Sequence, residues 1–320
     1  MHIVSTFLYV GLFLKIMYLC RILKNKVQII EKKSGYNIII MEINKLQDIA
    51  AQVRRDIIRM VHGAKSGHPG GSLGCADFLT ALYFDVMEID PEHFTRDGNG
   101  EDMFFLSNGH ISPVLYSVMA RRGYFPISEL ATFRKLGTRL QGHPTPVEGL
   151  PGIRVASGSL GQGLSVAIGA ALAKKANKDR HIVYALTGDG ELEEGQNWEA
   201  LMFAGSKHID NLIVTVDYNK KQIDGSTDAV MSLGNLRAKL QAFQWMVLEM
   251  NGNDMKSCIQ TLKLAKTLAG NQKPIVILMK TEMGQGVDFM MGTHKWHGTP
   301  PNDEQAAAAL AQLPETLGDY

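Results

Sequence analysis

Residues 186–225 read LTGDGELEEGQNWEALMFAGSKHIDNLIVTVDYNKKQIDG, and this stretch decides the fold. Two short runs rich in apolar and β-branched residues, HIVYALT at 181–187 and NLIVTVD at 211–217, predict strands. Between them, residues 194–207 carry apolar or small side chains at helical spacing, namely Trp198, Leu201, Met202 and Gly205. A strand, a helix and a strand in this order predict one βαβ unit with two parallel strands.

An aspartate and an asparagine follow these two strands, and together they predict a metal site. Asp189 lies in GDG after the first strand, and Asn219 lies in DYN after the second. Parallel strands end at the same edge of a sheet, where ligands of open α/β sheets bind, so we expect the two side chains to converge. Their oxygens suit Mg²⁺ or Ca²⁺, and Mg²⁺ held by so few side chains completes its shell with water and phosphate oxygens. The pattern predicts a diphosphate ligand, with Gly188 and Gly190 leaving room for it and allowing a sharp turn.

Six motifs along the chain extend this prediction: SGHPGG at 66–71, LSNGH at 106–110, GHP at 142–144, SGSLGQG at 157–163, GDGELEEG at 188–195 and HKWHGTP at 294–300. In this order and approximate spacing they resemble the N-terminal half of transketolases. The resemblance runs from about Met41 to Pro301. It implies an α/β fold, a doubly wound, mainly parallel sheet of the thiamine diphosphate-binding type. It also implies thiamine diphosphate as cofactor, with Mg²⁺ as the metal and Ca²⁺ or Mn²⁺ as alternatives.

The resemblance assigns a role to each matching residue. Four histidines in loops bounded by Gly or Pro are implied to bind and orient substrate hydroxyls, and a neutral imidazole can move protons near pH 7: His68, His110, His143 and His297. The implied cofactor contacts are Gly158, Ser159, Leu160, Asp189, Gly190, Asn219 and Ile223. The implied metal ligands are Asp189, Asn219 and the backbone carbonyl of Lys221. Many family members have proline where this chain has Ser159.

Three glutamates follow Asp189 within GDGELEEG. Only Glu194 matches a family position, where the resemblance implies a carboxylate network at a subunit interface. We interpret Glu191 and Glu193 as solvated residues or local caps.

The glycine-rich turn at 157–163 does not fit a dinucleotide-binding site. Gly158, Gly161 and Gly163 form G-x-x-G-x-G, whereas the dinucleotide motif is G-x-G-x-x-G. That motif also needs an acidic residue at the end of the following strand, and Asp179 precedes a predicted strand instead. We interpret Gly161 and Gly163 as sites of close packing.

The resemblance implies the N-terminal subunit of a split transketolase. Such an enzyme transfers a two-carbon glycolaldehyde unit from a ketose phosphate to an aldose phosphate in the pentose phosphate pathway. The pyrimidine domain, which activates the cofactor and makes most sugar-phosphate contacts, is expected on a separate C-terminal subunit. We expect an α2β2 heterotetramer and an exposed apolar patch around the loops of Ser157 and Glu194.

Three alternatives stay open. One is a subunit of a related synthase that forms a 1-deoxy-xylulose phosphate. Another is a transketolase for an unusual pentulose phosphate. The third is a catalytically silent scaffold, which the retained metal ligands and histidines argue against.

Composition and charge separate residues 1–40 from the remainder of the chain. They contain six of the 33 basic and one of the 32 acidic residues, which leaves 27 basic against 31 acidic residues. This balance gives no electrostatic reason to expect nucleic-acid binding. The apolar run at 6–20 is shorter than the roughly 20 residues that cross a bilayer, and basic residues follow it rather than precede it as in a secretory signal. We expect Met41 to be the true start, no membrane anchoring and a cytoplasmic location.

Residues 41–320 are predicted to form one large α/β domain. The cysteines, Cys20, Cys75 and Cys258, have no disulfide or zinc spacing, which favours buried thiols in a reducing compartment. Further strands are predicted at 103–107, 245–249 and 274–281. Further helices are predicted at 43–64, 75–86, 113–122, 128–135, 231–243 and 255–269, and a glycine-rich turn with its helix at 155–175.

Overall fold

The computed structural model describes residues 43–320, and within them the chain is built around a parallel five-stranded sheet. The expectations for Met41 as the start, for the apolar run at 6–20 and for Cys20 lie outside the described residues. The strands are β1 (Met103–Leu106), β2 (Val183–Gly188), β3 (Leu212–Asp217), β4 (Met246–Asn251) and β5 (Ile275–Lys280). Their order is β1-β2-β3-β5-β4, and every neighbouring pair is parallel. After β3 the chain crosses to the edge strand β4 and returns through β5, which confirms the doubly wound α/β fold.

Helices cover both faces of this sheet. They are α1 (Ile43–Ala64), α2 (Pro69–Gly74), α3 (Ala76–Ala81), α4 (Ser112–Arg122), α5 (Gly163–Ala176), α6 (Gly195–Ser206), α7 (Thr227–Val230), α8 (Leu236–Ala242), α9 (Met255–Leu268) and α10 (Asp303–Gln312). A π-helical turn extends α3 over Leu82–Val86, and a small hairpin pairs Lys221–Gln222 with Gly225–Ser226. No helix within residues 43–320 combines the length and the apolar character needed to cross a bilayer.

Alternate residues of each strand face two separate apolar cores. Ile213 and Ile277 belong to the core that contains buried residues of α1, α4 and α9. Val214 and Leu278 belong to the other core, which contains buried residues of α5, α6 and α8. Because both faces of the sheet are covered, its strands are continuously apolar, as is typical of parallel sheets. Each fully buried side chain of this size contributes about 1.5–3 kcal/mol of hydrophobic stabilisation.

The segment after His68 departs from its predicted structure. We expected a loop followed by a helix from residue 75, but PGGSLG already forms α2. Pro69 suits a first helical turn because that turn has no partner for a backbone N–H. A Cβ at Gly70 would lie 2.6 Å from Met283 Cγ and 2.8 Å from the Trp296 carbonyl oxygen, so only glycine allows this approach. The contact places α2 and His68 against the loop of the HKWHGTP motif.

Three smaller differences concern helices. The predicted helix at 128–135 is a 3-10 turn over Ile127–Thr132, and no side chain caps its start. The predicted helix at 231–243 is reduced to α8, whose start is capped by the side chain of Asn235. Met202, assigned to the buried face of α6, is 55% exposed, whereas Leu201 is buried as predicted. Cys75 and Cys258 are free buried thiols, as predicted, and burial raises the pKa of Cys75.

Candidate functional site

Asp189 and Asn219 meet at the carboxyl edge of the sheet. Gly188 at the end of β2 pairs in register with Asp217 at the end of β3. The Asp189 backbone N–H donates to the Asp217 carbonyl at 3.2 Å, and the Lys220 N–H donates to Asp189 Oδ2 at 2.5 Å. The predicted convergence of the two strand ends is therefore present in the structure.

The carboxyl group of Asp189 lies in an unfavourable place for an isolated negative charge. It is 1% exposed, and burial followed by the nearby charge of Asp217 raises its pKa to about 8. Its partners are two backbone N–H groups, because Oδ1 accepts a further hydrogen bond from Gly190 at 2.9 Å. A divalent cation would offset the burial of this charge.

The neighbouring oxygens fit a hard cation. Asn219 Nδ2 donates to Asp217 Oδ2 at 2.9 Å, and its Oδ1 accepts from the Lys221 N–H at 2.8 Å, which fixes the orientation of the amide. The Lys221 ammonium is turned to Glu282 Oε1 at 2.8 Å, so the backbone carbonyl remains as that residue's donor. Among residues 43–320 no group of three His, Cys, Asp or Glu side chains forms a metal site. The candidate site is thus one carboxylate, one amide and one carbonyl.

The glycines on either side of Asp189 have a different role from the one predicted. Neither has a positive φ, so the expected left-handed turn is wrong. A Cβ at Gly190 would lie 2.8 Å from the Gln222 Cβ, and one at Gly188 would make only ordinary contacts. Gly190 therefore allows the hairpin at Lys221–Gln222 to pack over the metal-site loop.

The four motif histidines form one cluster. The His68 ring centroid lies 5.1 Å from that of His110, 5.6 Å from that of His297 and 6.3 Å from that of His143. The rings of His110 and His297 are 5.0 Å apart. These residues come from four separate loops, and the cluster forms only in the folded chain.

The local environment keeps these imidazoles neutral. Burial, followed by the charges of His297, Arg134 and His143, lowers the pKa of His68 to about 4. Burial also lowers the pKa of His110 well below its ordinary value, and it lowers those of His143 and His297. The Nδ1 atoms of His68 and His297 are buried and have no partner within residues 43–320. A polar ligand in the cleft would supply one.

The depressed pKa of His68 makes the stability of the protein depend on pH. Between pH 4 and the ordinary value of 6.5, the unfolded chain binds more protons at this residue than the folded chain does. We therefore expect the free energy of unfolding to rise with pH across this window and His68→Gln to reduce the slope, as measured by urea unfolding at pH 5 and pH 7. His93→Gln is the control with the opposite sign, because Asp90 raises the pKa of His93. Equal slopes for wild type and His68→Gln would contradict the expectation.

The metal edge and the histidine cluster open into the same cleft, whose volume is about 520 Å³. Most of the residues implied by the resemblance line it: His68, His110, His143, His297, Gly158, Leu160, Asp189, Gly190, Asn219, Lys221 and Ile223. Ser159 is exposed and is not part of the lining, so its predicted side-chain contact is not seen. Gly158 has a φ of +118°, and a Cβ there would lie 2.6 Å from His143 Cδ2. The cofactor loop therefore packs directly against the histidine cluster.

Sequence reasoning missed two polar residues beside the cleft. Glu191 was interpreted as solvated or as a local cap, but it is buried, and the solvated interpretation is wrong. Its carboxylate accepts hydrogen bonds from Ser107, Gly161 and Gly188. Asn108 lines the cleft, and its buried Oδ1 has no partner within residues 43–320. The Glu-rich composition of GDGELEEG concealed the first, and no sequence signal marked the second.

A family model described as "Transketolase, thiamine diphosphate binding domain" matches residues 45–315. The chain belongs to this family. It is 39% identical over 277 residues to one of the named subunits of the apulose-4-phosphate transketolase of Phocaeicola vulgatus, covering 87% of this chain and 96% of that protein. It is 40% identical to the 6-deoxy-6-sulfo-D-fructose transketolase subunit SqwG of Clostridium sp. (strain MSTE9), covering 84% of this chain and 96% of that protein.

Full-length transketolases match over less than half of their length. The alignment with the transketolase of Sinorhizobium medicae has 36% identity and covers 83% of this chain but 39% of that protein. The crystal structure of transketolase from Campylobacter jejuni superimposes with a TM-score of 0.78 and 33% identity, covering 85% of this chain and 43% of that one. These matches confirm the resemblance to the N-terminal subunit of a split transketolase and the thiamine diphosphate-binding fold.

Proposed function

We propose that residues 41–320 form the subunit that holds thiamine diphosphate and Mg²⁺ in a cytoplasmic transketolase for anionic sugars. The observation that carries the proposal is the single cleft shared by Asp189, Asn219 and the four histidines. The Asp189 carboxylate, the Asn219 amide oxygen and the Lys221 carbonyl are the proposed metal ligands, since hard oxygen donors suit Mg²⁺. Gly158, Leu160, Gly190 and Ile223 would contact the cofactor.

The residues of this chain would bind the cofactor and handle protons. When bound, thiamine diphosphate supplies a carbon nucleophile and an electron sink for cleavage next to a ketone. The neutral ring nitrogens of His68 and His297, which are buried without partners, can donate to or accept from substrate hydroxyls. His110 and His143 lie beside them and would orient the sugar. Because the four imidazoles are neutral near pH 7, each can accept a proton during the reaction.

We propose that a separate subunit carrying the pyrimidine domain completes this site. Apolar side chains at the rim of the cleft are unusually exposed, with Ile223 at 61% and Met231 at 57%. Further exposed apolar residues lie on α5 and α6, the helices that follow the loops of Ser157 and Glu194: Val166, Leu172, Met202 and Phe203. Large apolar patches are typical of protein interfaces. Two relatives are themselves named as transketolase subunits, which supports an α2β2 assembly.

The purified chain alone is expected to have no ketolase activity, and addition of the pyrimidine-domain subunit is expected to restore it. The reason is that the carboxylate that activates the cofactor would come from the partner. The measurement is aldose-dependent consumption of xylulose 5-phosphate by this chain, with and without the product of the adjacent gene. Robust activity of this polypeptide alone would overturn the two-subunit proposal.

The sugar specificity can be resolved with the same assembled enzyme. Relatives at 39% and 40% identity are named for apulose 4-phosphate and for 6-deoxy-6-sulfo-D-fructose, so an unusual ketose is the second candidate donor beside those of the pentose phosphate pathway. A panel of xylulose 5-phosphate, apulose 4-phosphate and 6-deoxy-6-sulfo-D-fructose, compared by kcat/KM, distinguishes them.

A further inference from the structure

A single buried carboxylate connects three separate segments next to the cleft. Glu191 is 2% exposed, and its Oε1 accepts hydrogen bonds from Ser107 Oγ and from the Gly161 N–H, the latter at 2.8 Å. Its Oε2 accepts from the Gly188 N–H at 3.1 Å. The Glu191 carbonyl also accepts from Asn197 Nδ2 at 2.7 Å, which holds the glutamate to the start of α6.

Each donor lies at the edge of a segment that lines the cleft. Ser107 precedes Asn108 and His110, Gly161 follows Gly158 and Leu160, and Gly188 precedes Asp189. The three segments come from the ends of β1 and β2 and from the loop before α5, so the chain does not connect them directly. The Glu191 carboxylate provides a common hydrogen-bond acceptor for all three.

Tight packing limits the alternatives open to these segments. Ser107 is 1% exposed, and a Cβ at Gly163 would lie 2.5 Å from Ser107 Oγ. The serine hydroxyl is therefore held between the start of α5 and Glu191. A shift of the Glu191 side chain would leave buried N–H groups without acceptors, which is costly inside a protein.

We propose that Glu191 is a positioning residue that sets the mutual placement of the histidine-bearing, cofactor-binding and metal-binding segments of the cleft. The proposal rests on the proposed cofactor function. An ionised carboxylate is suited to the task because it only accepts hydrogen bonds, and all three neighbours donate. Glutamine has nearly the same shape but replaces one acceptor oxygen with an NH₂ donor, which would face another donor.

The test compares Glu191→Gln with Ser107→Ala, with the double variant and with Glu199→Gln, a control at an exposed position of α6. Calorimetry of the two-subunit enzyme with thiamine diphosphate and Mg²⁺ measures cofactor affinity, and melting of the cofactor-free chain measures stability. We expect Glu191→Gln to weaken cofactor binding by about 10- to 100-fold, as for other residues that orient a site from outside it. Ser107→Ala should weaken it less, and the double variant should be no weaker than Glu191→Gln because both changes act through one contact.

Several outcomes would overturn the inference. The first is wild-type affinity in Glu191→Gln at temperatures where it is folded, even with a lowered melting temperature, since the residue would then only stabilise the fold. Another is strictly additive effects of the two changes. If Glu191→Gln does not fold, Ser107→Ala carries the test, and wild-type affinity in that variant overturns the inference. A wild-type enzyme that does not bind thiamine diphosphate would instead refute the proposed function.

Discussion

Asp189→Ala is expected to abolish the Mg²⁺-dependent retention of thiamine diphosphate while leaving the sheet folded. The loss of this carboxylate separates the metal from the protein, and we expect at least the roughly 100-fold loss that changes around metal ligands can cause. The fold should persist because the Asp189 side chain bonds only to backbone N–H groups of its own loop and of the next one. Calorimetric titration of the assembled enzyme with cofactor, with and without Mg²⁺, measures the effect.

Lys221→Ala provides the contrast for this prediction. Its side chain pairs with Glu282, and only its backbone carbonyl is proposed as a metal ligand, so the alanine variant should bind the cofactor normally. Unchanged affinity in Asp189→Ala would remove the metal assignment. A large loss in Lys221→Ala would show that the ion pair with Glu282, and not the carbonyl, is what the site requires.

His110→Ala and His297→Ala are expected to reduce turnover far more than they reduce cofactor affinity. Groups that transfer protons contribute about 10²- to 10⁴-fold in rate. Both rings lie in the cluster, 5.0 Å apart, and neither takes part in the hydrogen bonds around Asp189. Steady-state kinetics with xylulose 5-phosphate and ribose 5-phosphate, together with calorimetry, separate the two effects. His68→Ala and His143→Ala should act in the same direction.

His93→Ala is the matched control because this histidine is exposed and pairs with Asp90 at the surface. It should retain wild-type turnover. A cluster variant with full activity would return that histidine to a structural role. A variant that loses cofactor binding as strongly as turnover would place its ring on the cofactor rather than on the substrate.

The sequence by itself determined the metal edge of the site. Two apolar runs joined by a helix must form parallel neighbours, and parallel neighbours end at one edge, so the amino-acid sequence alone was enough to pair Asp189 with Asn219. The strand boundaries were predicted within two residues for the same reason, since a buried strand is a continuous apolar run. The four histidines were found through their motifs rather than through their spacing.

Only the tertiary structure decided how the loops meet. The order β1-β2-β3-β5-β4 depends on which strand edges remain free when the later strands arrive, and no local pattern records this. The glycine-rich PGGSLG is helical because it packs against the loop of Trp296, more than 200 residues away, and this contact outweighs its weak helix propensity. Glu191 is buried because Ser107 and Gly161, distant in sequence, bring hydrogen-bond donors to it. Local patterns predict elements and strand ends, whereas burial and hydrogen-bond partners of polar residues depend on contacts that form only when the chain has folded.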